Sequence, residues 1–340
     1  MATQSFPPAS ICVAGCGHWG KNLVRNFHQL GKLGGLFDAS PDRLAEIGAG
    51  YPGVKQFNSF EAALADPSIN AVALATPAEM HARMAIQALD AGKDAFVEKP
   101  LALTPEDGMA MVEAARRNGR LLMVGHLLIY HPAIVAIHKL ITAGELGRLE
   151  YLYSNRLSMG KIRREENALW SFAPHDISIL LLLTGQLPIQ ATAVGGTYLQ
   201  PNIADVTVSN LLFENGTRAH IFVSWLHPHK EQRLVVIGSK KMVVFEDSRA
   251  TDKVMVYDKE IAWRNGNIEV SQPKGTPLAF DAGEPLRVEC QEFIECIEQR
   301  RRPRTPGEDG VAVLRVLQAS QRSLELNGAP VQMTSQAVMA

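Results

Sequence analysis

The chain has 340 residues, of which 46% are hydrophobic and 20% charged, with a formal net charge of -1. This length suits two domains, and the near-neutral balance excludes the broad basic surface that non-specific nucleic-acid binding requires. The opening residues, MATQSFPPASICVAG, have no positive stretch before the apolar ones, and the most apolar run, residues 177–183, is too short to cross a bilayer. We therefore predict a cytoplasmic protein with a small-molecule substrate and with neither a nucleic-acid nor a membrane partner.

The cysteines are four and fall in two pairs. Cys12 and Cys16 lie in the first predicted strand and the turn after it, and Cys290 and Cys296 lie in a late helical pattern. Neither spacing matches a metal-binding motif. We predict four buried thiols and no metal site.

In the first 126 residues, short apolar runs alternate with stretches whose apolar residues recur at helical spacing. Strands are predicted at residues 10–14, 34–38, 71–75, 95–98 and 121–125, and helices at residues 19–30, 41–48, 81–91 and 105–118. This alternation is typical of a parallel sheet with right-handed crossovers, and runs such as AVALA and LLMVG suit strands buried on both faces. The sequence thus predicts an α/β, doubly wound N-terminal domain over residues 1–126.

After residue 126 the alternation ends. A helix at 132–143, a strand at 148–157 and a helix from about 175 to 183 precede strand-like runs at 190–198, 206–213, 218–225, 232–238 and 242–246. ENGT at 214–217 is a strong hairpin signal, and RRRPR at 300–304 is predicted to be an exposed loop. Consecutive strands predict an antiparallel sheet, so we expect residues 127–340 to form an α+β domain with a large, mostly antiparallel open sheet.

Residues 15–20, GCGHWG, fit the pattern G-x-G-x-x-G between the first predicted strand and helix. Gly15 would make the tight turn, Gly17 would let the backbone approach a pyrophosphate, and Gly20 would allow close helix packing. Asp38 ends the second strand, where its carboxylate suits the ribose hydroxyls of an adenosine. No arginine follows Asp38 directly, so the pattern favours NAD over NADP. A glycine turn used for packing alone, with Asp38 as a strand cap, is the alternative.

Three further strand ends carry polar or turn-forming residues: Thr76-Pro77, Glu98-Lys99-Pro100 and Gly125-His126. In parallel sheets of this class, ligands bind beyond the carboxyl ends of the strands. A lysine at the end of a buried strand is costly unless it has a partner. We therefore expect Lys99 to face a ligand.

The segments AGCGHWG, ATPAEMHARMAIQALDAGKDAFVEKPLALT, ITAGELGRLE, APHDIS and FENGTRAHI together resemble the glucose-fructose oxidoreductase, inositol dehydrogenase and rhizopine-catabolism (Gfo/Idh/MocA) family of NAD(P)-dependent sugar oxidoreductases. The resemblance implies that Lys99 hydrogen-bonds the reacting oxygen, that Glu98 helps to place the nicotinamide ribose, that the Lys99–Pro100 peptide is cis, and that His175, at the start of a helix, is the acid/base. The cofactor contacts expected from motif and resemblance are Gly15, Gly17, His18, Trp19, Gly20, Asp38, Thr76, Pro77, His81, Glu98 and Lys99.

The segment around His175 departs from the family pattern. Many members read D-x-G-x-H-x-x-D here, whereas this chain has Ser171 and Ser178 in place of the aspartates. Lys99 and His175 could still move the hydroxyl proton as a pair, with Asp176 or the substrate's own hydroxyls completing the network. A non-catalytic NAD-binding regulator is the alternative.

A basic stretch precedes His175 and contains Arg156, Lys161, Arg163 and Arg164. Guanidinium groups bind phosphate oxygens bidentately, so this stretch could hold a diphosphate. The alternative is a solvated loop neutralised by Glu165 and Glu166. The predicted substrate contacts, here and after the fifth strand, are His126, Tyr130, His131, Arg156, Lys161, Arg163, Arg164 and Asp176.

The segments GHLLIYHP and NR…KIRREEN…WSFAPHDIS are similar to those of bacterial dehydrogenases that oxidise C3 of a UDP-linked N-acetylated sugar. This resemblance implies NAD-dependent oxidation of the C3 hydroxyl of a nucleotide sugar such as UDP-GlcNAc or its uronate, in amino-sugar or cell-surface polysaccharide biosynthesis. Oxidation of a free sugar or inositol is the alternative. The resemblance also implies a homodimer or homotetramer formed through the open sheet.

Overall fold

The computed structural model describes residues 8–259, 261–270 and 273–333. Within these ranges the chain divides into two compact units: the first unit holds residues up to 130 and residues 283–314, and the second unit holds residues 131–282 and those from 315. The predicted boundary at 126/127 differs from this division, because residues 283–314 belong to the first unit. None of the described helices is long and apolar enough to cross a membrane.

The first unit contains a six-stranded parallel sheet in the order β3-β2-β1-β4-β5-β6, which confirms the predicted doubly wound domain. The order reverses between β1 and β4, which is where ligands bind in folds of this kind. The strands are β1 (Ile11–Ala14), β2 (Leu33–Phe37), β3 (Lys55–Phe57), β4 (Ala71–Leu74), β5 (Asp94–Glu98) and β6 (Leu122–Gly125). The helices between them are α1 (Gly20–Gln29), α2 (Pro41–Gly48), α3 (Phe60–Ala65), α4 (Ala78–Asp90) and α5 (Pro105–Arg117).

The ends of these elements follow from local sequence. β1, β4 and β5 are buried at every position, as their apolar runs predict for all but Asp94 and Glu98, the two charged ends of β5. α5 begins after Thr104, whose hydroxyl accepts a hydrogen bond from the backbone N of Asp107 at 3.1 Å; removing such a cap costs about 1 kcal/mol. β3 and α3 were not predicted. Only Phe57 of the three residues in β3 is buried, so the strand has no apolar run.

The second unit contains a nine-stranded sheet in the order β16-β13-β12-β11-β7-β10-β9-β8-β17. β7 and β10 pair in parallel and the other neighbours are antiparallel, which confirms the predicted mostly antiparallel sheet; β9 and β10 form the hairpin predicted at ENGT. The elements that follow β6 in chain order, counted over both units, are a 3-10 helix at Leu127–Tyr130, α6 (Pro132–Thr142), β7 (Leu149–Met159), α7 (Ala168–Thr184), β8 (Pro188–Gly196), β9 (Val206–Phe213), β10 (Arg218–Ser224), β11 (Leu226–Gly238), β12 (Lys241–Glu246), β13 (Val254–Asp258), β14 (Ile261–Arg264), β15 (Asn267–Val270), β16 (Thr276–Pro277), α8 (Pro285–Gln299), α9 (Gly307–Glu325) and β17 (Val331–Gln332). Of these, the 3-10 helix, α8 and the part of α9 up to Leu314 belong to the first unit.

The helix that carries His175 begins earlier than predicted. α7 starts at Ala168, because the side chain of Asn167 caps it by accepting a hydrogen bond from the backbone N of Trp170 at 3.1 Å. Pro174 lies inside the helix and does not end it. His175 therefore lies within α7, and the expectation that it begins the helix was wrong.

α8 belongs to the first unit, although it follows the strands of the second in sequence. Phe293 of α8 packs against Phe96 of β5 with ring centroids 5.7 Å apart, and Glu298 pairs with Lys32 at 2.5 Å. The amphipathic pattern of a helix predicts a buried face but not the sheet that covers it. All four cysteines are buried and free, as predicted.

The segment RRRPR after α8 is not simply an exposed loop. Arg300 pairs with the buried carboxylate of Asp94 at 2.6 Å, and Arg301 pairs with Glu292 at 2.9 Å. Pro303 is buried. The expectation of an exposed loop was therefore wrong for these residues, because a run of like charges does not show which carboxylates the fold brings to it.

Candidate cofactor and substrate site

The turn between β1 and α1 has space for a ligand over its backbone. Gly15 has φ +91° and a Cβ there would lie 2.7 Å from the backbone of Ala75, so only glycine fits. A Cβ at Gly20 would lie 1.8 Å from the carbonyl oxygen of Gly15, which explains the close start of α1. Gly17 instead has no atom within 4 Å of its Cβ position. This open space supports the predicted approach of a pyrophosphate to the backbone of Gly17.

Asp38 is fixed beside this turn at the end of β2. Its Oδ2 accepts a hydrogen bond from the backbone N of Cys16 at 2.8 Å, and its Oδ1 accepts one from the backbone N of Ser40 at 2.9 Å. Asp38 is buried, at 8% exposure. The carboxylate thus stands next to the glycine turn, as the ribose-binding role requires.

Arg43, in the first turn of α2, was missed from the sequence. Its Nη1 lies 3.4 Å from Oδ1 of Asp38. In folds of this class, an arginine near the ribose-binding acid can accommodate the 2'-phosphate of NADP. No arginine directly follows Asp38 in the sequence, but the first turn of α2 brings Arg43 back to the carboxylate. The residues present fit NAD(P) without deciding between NAD and NADP.

At the end of β5, Glu98 is held by two donors. Its Oε1 accepts a hydrogen bond from Nε1 of Trp19 at 2.5 Å, and its Oε2 accepts one from the backbone N of Lys99 at 3.3 Å. Burial raises the pKa of Glu98, while the Trp19 hydrogen bond and the charge of Lys99 oppose that rise. Two predicted cofactor residues that are distant in sequence, Trp19 and Glu98, therefore meet. The Lys99–Pro100 peptide bond is cis, as the resemblance implied.

Thr76 and His81, which both follow β4, differ in their hydrogen bonding. Oγ1 of Thr76 is buried and has no hydrogen-bond partner among the described residues. His81, by contrast, has Nδ1 2.8 Å from the carbonyl oxygen of Pro100 and Nε2 3.0 Å from that of Thr76. Burial lowers the pKa of His81, so its ring is neutral. These contacts favour a role for His81 in joining the ends of β4 and β5 over the predicted direct cofactor contact. Pro77 and His18 are exposed.

His126 follows β6 and is buried, at 1% exposure. Neither of its ring nitrogens has a hydrogen-bond partner among the described residues. Burial, and then the positive charge of Lys99, lower the pKa of His126 to about 3. Buried polar atoms are normally paired, so unsatisfied atoms at Thr76 and His126, beyond strands on either side of β5, fit a site that a polar ligand completes.

Tyr130 was predicted to contact the substrate, but its surroundings favour a packing role. Its hydroxyl lies 2.9 Å from Oγ1 of Thr305, which in turn donates to the carbonyl oxygen of Val124 at 2.8 Å. The guanidinium of Arg304 lies 5.1 Å from the ring centroid. Tyr130 is 1% exposed, so little of it is available to a substrate.

In the second unit, Arg156 and Asp176 form a buried ion pair. Nε of Arg156 lies 2.8 Å from Oδ2 of Asp176, and its Nη2 donates to Oδ1 at 3.1 Å. Ser154 donates a further hydrogen bond to Oδ1 at 2.5 Å. The two side chains are 14% and 1% exposed. The pair thus satisfies itself between β7 and α7, which favours a structural role for both residues over the predicted substrate contacts.

The other cations of the basic stretch divide into two groups. Arg163 donates from Nε to Oγ of Ser171 at 3.2 Å and pairs with Glu166 at 2.9 Å, while Glu165 lies 3.6 Å from its Nη1. At Arg163, this arrangement favours the alternative of a loop whose positive charge is neutralised by Glu165 and Glu166. Lys161 and Arg164 are exposed and have the freedom to meet a ligand.

His175 is half-buried in α7, one helical turn after Ser171. Ser178 donates a hydrogen bond to the backbone carbonyl of His175 at 2.8 Å, so its hydroxyl serves the helix backbone. Ser171, which stands where many members of the resembling family have aspartate, receives the hydrogen bond from Arg163. A guanidinium therefore approaches this turn of α7, where a carboxylate is expected from the family pattern.

Both ring nitrogens of His131 contact other residues of the second unit. Its Nδ1 accepts a hydrogen bond from the backbone N of Ala133 at 3.1 Å and thereby caps α6, and its Nε2 lies 3.7 Å from Oδ1 of Asp247. The contact with His131 is the main reason that the pKa of Asp247 lies below its usual range. These contacts favour a structural role over a sugar contact.

Comparison with known proteins supports the same architecture. A model of an oxidoreductase family with an NAD-binding Rossmann fold matches residues 9–126, and a GFO/IDH/MocA C-terminal domain model matches residues 134–244. The chain is 30% identical over 312 residues to UDP-N-acetylglucosamine 3-dehydrogenase of Acidithiobacillus ferrooxidans, covering 91% of this chain and 94% of that protein. A solved structure of a protein of that name from the same organism has a TM-score of 0.81 at 25% identity and covers 94% of this chain and 98% of its own. The chain is also 26% identical to scyllo-inositol 2-dehydrogenase (NAD(+)) of Bacillus subtilis, over 79% of each.

Proposed function

The chain belongs to the Gfo/Idh/MocA family of oxidoreductases and is an NAD(P)-dependent dehydrogenase, and from that premise we propose that it oxidises the C3 hydroxyl of a nucleotide-linked sugar such as UDP-GlcNAc or its uronate. The observation that carries the reaction type is the Glu98–Lys99 pair at the carboxyl end of buried β5. Similarity to UDP-N-acetylglucosamine 3-dehydrogenase along most of the chain supports the substrate class. Such an activity would serve amino-sugar or cell-surface polysaccharide biosynthesis.

In the proposed reaction, three side chains of this protein have separate tasks. Lys99 donates a hydrogen bond to the C3 oxygen, Glu98 holds the nicotinamide ribose, and His175 takes the hydroxyl proton. NAD, when bound, supplies the hydride acceptor. The C3 hydroxyl would thus lose its proton to His175, and C3 itself would lose a hydride to NAD, which leaves a ketone at C3 and NADH.

We further propose NAD as the cofactor. Asp38 supports this choice, because a 2'-phosphate would meet its carboxylate, while Arg43 is already engaged by Asp38. Comparing kcat/KM for NAD and NADP tests the proposal, and a preference for NADP would contradict it. Arg43→Ala is the matched variant: it should lower any residual use of NADP and leave the use of NAD nearly unchanged.

Substrate class is tested by NADH absorbance with UDP-GlcNAc, its uronate, free N-acetylglucosamine and inositols. The proposal requires turnover of a UDP-sugar with a higher kcat/KM than any free sugar. A dehydrogenase of a free sugar or inositol is the second candidate, favoured by one observation: Arg156 and Arg163 are engaged by carboxylates of the chain itself. A chain that binds NAD but reduces it with no sugar would instead be a regulator.

Association as a homodimer or homotetramer through the open sheet is part of the proposal. Ser154 and Arg156 of β7 contact α7, so the alternating Tyr151 and Tyr153 lie on the opposite face of the sheet. Tyr153 stacks there on His220 with centroids 5.0 Å apart. Light scattering tests the oligomer, and a monomer at micromolar concentration would contradict it. The cytoplasmic location stays a prediction.

A further inference from the structure

α8 carries a glutamate that the proposed reaction does not use. Glu289 is 0% exposed, and neither of its carboxyl oxygens has a hydrogen-bond partner among the described residues. Phe293 lies four positions later on the same face of α8 and packs against Phe96 of β5. This face of the helix therefore lies against the strand that ends at Glu98.

Glu98 and Glu289 are two buried carboxyl groups with unequal surroundings. Glu98 accepts hydrogen bonds from Trp19 and from the backbone N of Lys99, whereas no described group donates to Glu289. Burial raises the pKa of both carboxyl groups: that of Glu98 to about 7, and that of Glu289 well above its usual range, where the negative charge of Glu98 adds to the rise. An ionised carboxylate buried without a partner is very costly, and two carboxylates that share a dry region do not both ionise. The proton of the pair accordingly belongs on Glu289.

We propose that Glu289 is a positioning residue, which carries the single proton of a Glu98–Glu289 pair so that Glu98 stays ionised and holds Trp19 and the nicotinamide ribose. The contact with the ribose rests on the proposed function. The protonation of Glu289 and the contact with Trp19 do not.

The charged and titratable groups around this pair come from several elements of the first unit. Among them, Glu98 is the group whose charge raises the pKa of Glu289. Burial is the main cause that raises the pKa of Tyr130 and of Cys290, and a negative charge on Glu289 would add to it. Besides Glu289, the charged and titratable groups of α8 are Arg287, Cys290, Glu292, Glu295, Cys296 and Glu298. Those next to α8 in the chain or on the elements packed against it include Glu98 and Lys99 at the end of β5, His126 and Tyr130 after β6, Lys21, Arg25 and His28 of α1, Glu284 before α8, and Arg301 and Arg304 after it.

Infrared spectroscopy tests the protonation directly. The carbonyl stretch of a protonated carboxylic acid is distinct from the bands of a carboxylate, and it shifts in D2O. At pH 8, the difference spectrum between the wild type and Glu289→Gln should show this band. Glu292→Gln is the matched control, because Glu292 lies one turn away on α8, where burial is outweighed by the Arg301 contact, which lowers its pKa. A wild-type spectrum without the band, or a band that persists in Glu289→Gln, overturns the proposal, and the first of these outcomes does so even if the variant does not fold.

The pH dependence of stability supplies a second test. A carboxyl group with a raised folded pKa stabilises the fold below its unfolded pKa, about 4.3, and this contribution is lost as pH rises through the folded value. The unfolding equilibrium constant of the wild type should therefore rise with pH relative to that of Glu289→Gln, by up to about tenfold per pH unit above pH 5. Parallel pH profiles for the two proteins would overturn the assignment.

Cofactor binding distinguishes positioning from simple packing. Glu289→Gln keeps a neutral side chain of nearly the same shape, so at pH 7 its Kd for NAD should lie within about twofold of the wild-type value. As pH rises until Glu289 ionises beside the already ionised Glu98, repulsion between the two carboxylates should displace Glu98 and weaken NAD binding by the wild type, whereas the variant should show no such loss. The same alkaline loss in both proteins would overturn the positioning role. If the wild type binds no NAD at all, the proposed function fails, and the infrared result still decides where the proton lies.

Discussion

The strand ends of the first unit and the basic stretch of the second unit use their polar residues in opposite ways. At the strand ends of the first unit, buried polar atoms of Thr76 and His126 have no partner among the described residues. In the second unit, two residues of the basic stretch, Arg156 and Arg163, are paired with carboxylates of the chain itself. The difference teaches that an unsatisfied buried atom is a better sign of a ligand site than a cluster of charges, because exposed or paired charges cost the fold little.

The largest expected effect is on turnover, in the first unit. Lys99→Met should lower kcat by about 10²- to 10⁴-fold, because it removes the group that donates to the reacting oxygen, and should leave NAD affinity nearly unchanged. Lys93→Met is the control from the other end of β5, since Nζ of Lys93 donates to the backbone oxygens of Asp66 and Ile69. This control should lower stability but not turnover per folded molecule. Persistent turnover in Lys99→Met would remove Lys99 from the mechanism.

The next effect is on stability, in the second unit. Arg156→Met should lower the free energy of unfolding by about 3–5 kcal/mol, because it leaves the buried charge of Asp176 without its partner. Urea unfolding measures the change. Arg116→Met removes a surface pair with Glu113 and should cost no more than about 1 kcal/mol. If Arg156→Met instead keeps its stability and raises the KM of the sugar, Arg156 is a substrate contact after all.

A smaller effect appears in acid and belongs to the first unit. The pKa of His126 is lowered to about 3 by burial and by Lys99, so its neutral ring stabilises the fold above its unfolded pKa of 6.5 and this contribution is lost as pH falls towards 3. One pH unit below 6.5, replacing His126 by Asn should remove about 1.4 kcal/mol of the acid-induced loss. His229→Asn, at an exposed position of the second unit, should leave the profile unchanged. Equal acid profiles for the wild type and His126→Asn would contradict the buried neutral ring.

The smallest effect is expected from Arg163, whose charge is already matched by Glu165 and Glu166. Arg163→Ala should raise the KM of a UDP-sugar by less than about threefold, since a half-buried charge that is already paired within the chain has little left to offer a ligand. Arg164→Ala, at an exposed position of the same loop, should raise KM more if the loop meets a diphosphate. A large rise for Arg163 would restore it as a phosphate ligand, and no rise for either variant would favour a free sugar.

The position of the residues at the strand ends of the first unit could be predicted from the sequence, and the reason is geometric. A parallel sheet gathers the carboxyl ends of its strands at one edge, so Asp38, Thr76 and Glu98 could be placed there from the strand pattern alone. What failed were contacts that depend on a helix returning to a strand, such as Arg43 beside Asp38, and partners distant in the chain, such as Asp176 for Arg156. The site roles of all these residues stay predictions, whereas the two-domain fold is confirmed.

The discontinuity of the first unit has a consequence for how the protein is made. During synthesis, residues 8–130 leave the ribosome long before α8 does. β5 therefore emerges without the helix whose Phe293 packs against Phe96. That face of the nascent sheet therefore stays exposed to solvent until residues 283–314 have been synthesised, while the second unit emerges and folds. A fragment that ends near residue 130 is therefore expected to need a chaperone or to aggregate, even though it contains all six strands of the sheet.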